Sequence, residues 1–224
     1  MKKLVQLLFL SLIIVLGACN KDDIHNTDTQ IGHSRVTFFP IIKIKGERYI
    51  LVPKGGTYTE PGVDATEGGA PTTFTTSGSV NTGVAGMYSL VYTTKTTQDG
   101  FSASDYRNVL VYDTDAGAAA ADLSGTYKRS APGNAADGQL ITWAKKAPGV
   151  YLVTNPGGAV GNTLQVYAIN PTGNTVKIPL QLIGIGNPFN STAESYTPTP
   201  TPAKLVWTLI NVGYGAGVRT FFKQ

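Results

Sequence analysis

Residues 87–93 read MYSLVYT, and the alternation in this stretch indicates the fold. Successive side chains of an extended strand point to opposite faces, so Tyr88, Leu90 and Tyr92 share one face, which can pack against a second sheet. Similar short apolar runs recur from Val36 onward, separated by the turn-forming residues Gly, Pro, Asn and Asp. The chain from residue 36 is therefore predicted to consist of short strands joined by tight turns.

The composition is that of a turn-rich β protein. Of the 224 residues, 42% are hydrophobic, which is enough to bury a core, and 14% are charged, which is too few for a coiled coil. The 26 Gly and 13 Pro residues favour turns over long helices. The formal net charge of +4 is too small to indicate a nucleic-acid partner, and none is expected.

Residues 1–18 are predicted to be a lipoprotein signal peptide. Lys2 and Lys3 form a basic start, and the apolar stretch 4–16 is shorter than the ~20 residues that a membrane-spanning helix needs. Residues 16–19, LGAC, resemble the lipobox of bacterial lipoproteins. Cys19, the only cysteine in the chain, is therefore the predicted lipid attachment site, and the outer membrane is the predicted partner of that lipid.

Residues 19–35 are predicted to form a lipidated flexible tether, because they are polar and lack an apolar period. Lys21, Asp22 and Asp23 resemble the surface-export signal of Bacteroidota lipoproteins, which implies an anchored protein that faces the cell exterior. Both histidines lie in this segment without the ligand spacing of a metal site, so neither a metal nor a cofactor is expected.

Five motifs between residues 36 and 113 carry a resemblance to a known domain family. They are YTEPGV at 58–63, VNTG at 80–83, GMYSLVY at 86–92, DGF at 99–101 and RNVLVYD at 107–113. In this order they resemble the bacterial immunoglobulin-like surface domain, which implies a β-sandwich over residues 36–113. The resemblance implies a spacer role without catalytic residues. Strands are predicted at 36–39, 49–52, 87–94 and 108–112.

Residues 114–121 are predicted to be a linker, and residues 122–224 a C-terminal antiparallel β domain. The domain begins with DLSGTY at 122–127, which resembles the start of small β domains in Bacteroidota surface lipoproteins, some of them lipocalin-like barrels. Its strands are predicted at 139–144, 150–154, 164–169, 176–183, 204–212 and 217–222. The predicted fold class is all-β, an N-terminal Ig-like β-sandwich followed by an antiparallel β-barrel or sandwich.

The residues outside the tether limit the possible chemistry. With Cys19 acylated and both histidines in the tether, the folded part has no thiol and no imidazole, which excludes Cys-His and Ser-His catalysis. The remaining carboxylates around the second domain match no glycosidase motif; they are Asp115, Asp122, Asp137 and Glu194. We therefore predict no catalytic residues and no enzyme activity.

Aromatic side chains are the candidate ligand contacts, because they stack on sugars and anchor peptide side chains. Trp143, Tyr151 and Tyr196 are the predicted binding residues. Trp143 fits a strand end before a Pro-Gly turn, where core and ligand roles are equally compatible with the sequence. Tyr196 precedes a Thr-Pro repeat and is expected in a protruding loop. Trp207 lies in an apolar run and is expected in the core.

The sequence thus predicts a non-catalytic cell-surface lipoprotein. By resemblance, such lipoproteins accompany Sus-like nutrient uptake systems, in which a TonB-dependent transporter and its lid lipoprotein import oligosaccharides or peptides. This implies an accessory component that binds the substrate or the importer. Two alternatives remain, a structural or adhesive surface protein without a soluble ligand and a carboxylate-dependent hydrolase.

Overall fold

The structure, a computed structural model, describes residues 37–96, 99–199, 201–215 and 217–224. The predicted signal peptide, the lipidation site Cys19 and the export signal at Lys21, Asp22 and Asp23 lie outside the described residues. Residues Phe38–Gln224 form one compact unit. The described residues form fifteen strands and one short helix, which confirms the all-β prediction.

The N-terminal part of this unit is a sandwich of two sheets. One sheet has the order β1 (Pro40–Ile44), β3 (Val63–Glu67) and β4 (Ala70–Pro71). The other has the order β2 (Tyr49–Pro53), β7 (Ser102–Tyr112), β6 (Gly86–Lys95) and β5 (Thr75–Ser77), with β2 parallel to β7. Val63, Leu90 and Tyr92 are buried in one core cluster, which confirms the alternation expected for residues 87–93.

The first predicted strand, at residues 36–39, is wrong for residues 37–39, and residue 36 lies outside the described residues. Strand β1 begins at Pro40, which pairs with Glu67, and the partner strand then turns away at two glycines with positive φ, Gly68 and Gly69. Phe39 therefore has no strand opposite it, and its side chain is 65% exposed. The other three predicted strands of this domain overlap β2, β6 and β7.

A buried arginine joins the two sheets of the sandwich. The Arg107 side chain is fully buried, and its Nε donates to Glu60 Oε1 at 3.1 Å. Its other nitrogens donate to the carbonyl oxygens of Lys45, at 2.6 Å, and of Glu47. Burial raises the pKa of Glu60, but hydrogen bonds from Tyr58 and a backbone N–H, together with the charge of Arg107, hold it below its ordinary value. The motifs YTEPGV and RNVLVYD therefore meet in one structural ion pair.

The C-terminal part is an eight-stranded antiparallel sheet curled into a nearly closed barrel, which decides between the two architectures left open by the sequence. In chain order its strands are β8 (Gly125–Ser130), β9 (Leu140–Ala147), β10 (Val150–Thr154), β11 (Gln165–Ile169), β12 (Gln181–Gly184), β13 (Asn187–Thr197), β14 (Lys204–Ile210) and β15 (Val218–Lys223). The spatial order is β11-β10-β9-β8-β15-β14-β13-β12, so β11 and β12 are the two edges.

A glutamine side chain bridges these two edges. Gln181 is 1% exposed; its Oε1 accepts from the Tyr167 N–H at 3.0 Å, and its Nε2 donates to the Tyr167 carbonyl at 2.8 Å. The side-chain amide thus makes the pair of bonds that a neighbouring strand would make. An isolated bridge between Ile169 and Lys177 adds to the closure.

Replacing Gln181 with methionine is expected to lower the free energy of unfolding of the barrel by about 2 kcal/mol, because it leaves both Tyr167 backbone groups without these partners. Urea unfolding followed by tryptophan fluorescence measures this loss. Gln165→Met on the exposed face of β11 is the matched control and is expected to change stability by less than about 0.5 kcal/mol. Equal losses in both variants would show that Gln181 does not close the barrel.

Aromatic side chains fill the barrel interior. The rings of Trp143 and Trp207 stack with centroids 5.6 Å apart, and Tyr127, Tyr151 and Phe221 pack around this pair. All five side chains are at most 3% exposed. The interior is therefore a packed core, as expected for a barrel of eight strands.

The two β modules are held together by side-chain and backbone contacts. Asn108 is fully buried; its Nδ2 donates to the Leu182 carbonyl at 2.8 Å, and its Oδ1 accepts from the Leu182 N–H at 3.3 Å. The ring of Tyr49 lies 4.9 Å from that of Tyr167. The predicted linker contains the short helix α1 (Ala116–Ala120), which Asp115 caps by accepting from the Ala118 N–H at 2.6 Å.

Candidate functional site

A cleft of about 420 Å³ lies where the loop after β14 meets the β12–β13 hairpin. We call it the rim cleft; its walls are formed mainly by Leu180, Ile210, Val212, Asn187, Asn190 and Asn211. Among the described residues that line it, none has an ionisable side chain. Pockets of this size with mostly apolar walls and a few polar groups are typical ligand sites.

The apolar wall follows from how β14 alternates. Leu205, Trp207 and Leu209 point into the barrel core, and the next residue, Ile210, points outward with 42% of its side chain exposed. Leu180 is 61% exposed and Val212 99% exposed at the same cleft. Three exposed aliphatic side chains around one concavity form an apolar patch of the kind that marks interaction sites.

One asparagine fixes the shape of the cleft. Asn211 Nδ2 donates to Asn187 Oδ1 at 2.6 Å and to the Pro188 carbonyl at 2.9 Å, and Asn211 Oδ1 accepts from the Gly213 N–H at 2.9 Å. These bonds tie the β14–β15 loop to the β12–β13 hairpin. The two walls of the cleft are therefore positioned before any ligand arrives.

The nearest basic side chain along the loop is directed to the backbone. Arg219 donates to the carbonyl oxygens of Tyr214, at 2.5 Å, and Gly217, at 2.7 Å. Burial, reinforced by the charge of Arg129, lowers the pKa of Arg219, and burial raises the pKa of Tyr214. Arg219 thus holds the loop, and the cleft itself presents aliphatic surface and neutral amides.

The structure does not bring the predicted binding residues to this cleft. Trp143 is 3% exposed in the middle of β9, and Tyr151 is fully buried, with its hydroxyl donating to the Ala121 carbonyl at 3.0 Å. Tyr196 is half-buried in β13, where it pairs with Leu205, so the expected protruding loop at this residue is wrong. Ligand binding by these three aromatics stays a prediction. The core position of Trp207 is confirmed.

Sequence reasoning missed the rim cleft because it searched for aromatic side chains. The available signal was the placement of asparagines beside aliphatic residues, in INVG at 210–213 and GNPFN at 186–190. Asparagine in such turns bonds to nearby backbone and neighbouring loops. Neither segment alone shows that they meet, because they lie on different strands.

The four carboxylates considered for hydrolysis serve local structure. Asp115 caps α1, Asp122 accepts from the Ser124 N–H at 2.9 Å, Asp137 accepts from the Ala131 N–H at 2.7 Å, and Glu194 accepts from the Ser191 hydroxyl at 2.6 Å. Hydrogen bonds hold the pKa of Asp115 and of Asp122 below the ordinary value. A general acid needs the opposite shift.

The described residues contain no group of three or more His, Cys, Asp or Glu side chains placed to hold a metal ion. The same part of the chain has no helix with the length and apolar character to cross a bilayer.

Comparison with known proteins finds a family match within the N-terminal sandwich. Residues 42–111 match the sequence model of the family described as bacterial surface protein, Ig-like domain. These residues form an Ig-like domain. The match supports a cell-surface location for the chain. None of the curated proteins matches this sequence.

A solved structure similar to this chain is the crystal structure of the lipoprotein BT2262 from Bacteroides thetaiotaomicron. The two chains are 25% identical, and the alignment covers 83% of this chain and 100% of that one with a TM-score of 0.41.

Proposed function

We propose that this chain is a non-catalytic lipoprotein that binds a neutral ligand at the cell surface through the rim cleft. The observation that carries the proposal is the charge-free apolar cleft, positioned by Asn211 and built into one compact unit with a surface-type Ig-like domain. Binding sites of this character recognise shape and apolar surface, with a few amides to fix orientation.

The chemistry of the cleft favours a peptide over an oligosaccharide. Its walls are aliphatic, formed by Leu180, Ile210 and Val212, which suit apolar side chains of an extended segment. The side chains of Asn187 and Asn190 can exchange hydrogen bonds with peptide groups. Sugar faces are recognised mainly by stacking on aromatic rings, and no Trp, Tyr or Phe is among the described residues that line the cleft.

The location and partners belong to the same proposal. Acylation of Cys19 holds the chain in the outer membrane, and Lys21, Asp22 and Asp23 direct it to the exterior. The protein then acts as an accessory component of a Sus-like uptake system, in which the bound segment is the imported peptide or an exposed segment of the TonB-dependent transporter or its lid lipoprotein. The Ig-like domain is the spacer between lipid and barrel.

Isothermal titration of the full chain against a panel of neutral, apolar peptides and a panel of neutral oligosaccharides tests the ligand class. We expect heat from apolar peptides and none from oligosaccharides. Heat from oligosaccharides alone would contradict the peptide assignment. No heat from either panel, without co-purification of a transporter from membranes, would favour the structural or adhesive alternative.

A further inference from the structure

Exposed aromatic side chains cluster at one end of the Ig-like domain. Phe38 is 52% exposed, Phe39 65%, Phe74 42% and Phe101 42%, and Ile41 beside them is 64% exposed. We call these five residues the aromatic tip. Scattered apolar side chains are normal on a protein surface, but a contiguous group of large ones marks a surface that meets something apolar.

Side-chain contacts join different chain segments at the tip. The rings of Phe39 and Phe101 lie 4.9 Å apart, which joins the start of β1 to the β6–β7 hairpin. Phe38 packs against the β3–β4 turn, where a Cβ on Gly68 would come within 3.0 Å of its ring. The ring of Phe74 lies 6.3 Å from that of Tyr92 on β6. The start of β1 and the β6–β7 hairpin thus place their aromatic rings in contact, and Phe74 lies beside β6, the strand that leads to that hairpin.

The barrel does not cover this surface. Strand β7 begins at Ser102, directly after Phe101, and its side-chain contact with the barrel is made at Asn108. Six residues of strand separate the two, a rise of about 20 Å. The tip therefore projects beyond the place where the Ig-like domain meets the barrel.

The position of the tip in the sequence places it close to the predicted lipid attachment site. Phe38 follows Cys19 by 19 residues, so the acylated cysteine of the proposed lipoprotein can be at most ~65 Å away along the chain. A tether of this length keeps the tip at a high effective concentration near the lipid surface, so even weak affinity for that surface is enough for contact.

The chemistry of the tip matches the interface of a bilayer. Membrane-surface segments bury Phe and aliphatic side chains at the boundary between headgroups and hydrocarbon, and this partial insertion removes apolar surface from water. Lys95 is exposed at the end of β6 near Phe74 and Thr93, and a lysine can direct its amine to headgroups while its stem lies along apolar surface.

We propose that the aromatic tip inserts into the headgroup region of the membrane that holds the acylated Cys19. The proposal rests on the proposed lipid attachment. Insertion of the tip would fix the orientation of the Ig-like domain relative to the membrane, because the chain would then contact lipid at two places, at Cys19 and at the tip. Strand β7 then leads away from the bilayer, and its contact with the barrel at Asn108 lies about 20 Å above the tip.

A tryptophan at the tip tests the proposal. The full chain with Phe101→Trp is placed in vesicles of equal parts phosphatidylethanolamine and phosphatidylglycerol with brominated acyl chains. The native Trp143 and Trp207 are at most 3% exposed in the barrel and give a constant background. We expect brominated lipid to quench the added fluorescence about two-fold and its emission to shift to the blue. Thr199→Trp, exposed in the loop between β13 and β14, is the matched control and should show neither effect.

Flotation of the vesicles tests the lipid attachment at Cys19 independently of the fluorescence test for insertion of the tip. If the chain fails to float with the vesicles, the proposed attachment at Cys19 is wrong. The Cys19→Ser form with the tip tryptophan is then titrated with the same vesicles at millimolar lipid. A blue shift of the tip tryptophan emission in that titration still supports insertion of the tip. In floating protein, a tip tryptophan as accessible to acrylamide as the control overturns the inference. A blue shift without lipid that grows with protein concentration assigns the tip to a second copy of the chain and also overturns it.

Discussion

Replacing Arg107 with methionine is expected to lower the free energy of unfolding of the Ig-like domain by about 3–5 kcal/mol. The substitution keeps an apolar stem but removes every hydrogen bond of a fully buried guanidinium. It leaves Glu60 without its cation and the carbonyl oxygens of Lys45 and Glu47 without their partner. A loss of this size is a large part of the stability of a small domain.

The two tryptophans allow the measurement to be made on the full chain. Both lie in the barrel, so tryptophan fluorescence reports the barrel, and far-ultraviolet circular dichroism reports all strands. In Arg107→Met we expect an early circular dichroism transition that tryptophan fluorescence does not follow. Lys54→Met, which removes an exposed ion pair with Asp113, is the control and should cost less than about 1 kcal/mol. Equal midpoints for both variants would contradict the structural role of Arg107.

The second large effect is expected in the barrel, where Trp207→Ala should cost about 3–5 kcal/mol. The indole is fully buried, stacks on Trp143 and donates from Nε1 to the Pro156 carbonyl at 3.0 Å. Its removal leaves a cavity in a packed aromatic core and an unpaired carbonyl. Denaturant unfolding followed by the fluorescence of Trp143 measures the loss.

Val206→Ala on the same strand is the matched control. Val206 is half-buried on the opposite face of β14, so its truncation should cost about 1 kcal/mol or less. If Trp207→Ala were no more destabilising than Val206→Ala, the barrel interior would not be the core of this domain.

Periodicity and turn chemistry predicted most of the fold. The alternation at 87–93 correctly placed Leu90 and Tyr92 in the sandwich core, and the predicted strand at 150–154 has the bounds of β10. The ordered motifs correctly predicted the Ig-like domain, and two of them contain the ion pair that Glu60 makes with the buried Arg107. Such motifs describe architecture, and they give no site chemistry.

Strand β13 was not predicted, for a physical reason. Its sequence, NPFNSTAESYT, is mostly polar and lacks a two-residue apolar period. The strand is irregular between Thr192 and Ser195, where Ala193 has a φ of 52°. Pairing with β14 forms it despite its weak propensity, since tertiary context overrides local preference. This strand carries Tyr196, so its omission also misplaced that residue.

The candidate site was less accessible to sequence reasoning than the fold. Aromatics are predicted to bind ligand, with a core role equally compatible for Trp143, and the structure places Trp143 and Tyr151 in the barrel interior. The rim cleft is built from aliphatic and amide side chains that are distant in sequence, such as Asn187 and Asn211. Their proximity depends on the pairing of β13 with β14, and β13 was not predicted.

Titration of the rim cleft variant Ile210→Asp tests whether the rim cleft binds the ligand. With an apolar peptide that binds the full chain, we expect at least a ten-fold loss of affinity, because a carboxylate in the apolar wall would be desolvated by the ligand. Thr142→Asp, on the exposed face of β9, adds the same charge elsewhere on the barrel and should leave affinity unchanged. Equal affinities of the two variants for that peptide would contradict the claim that the rim cleft is the binding site.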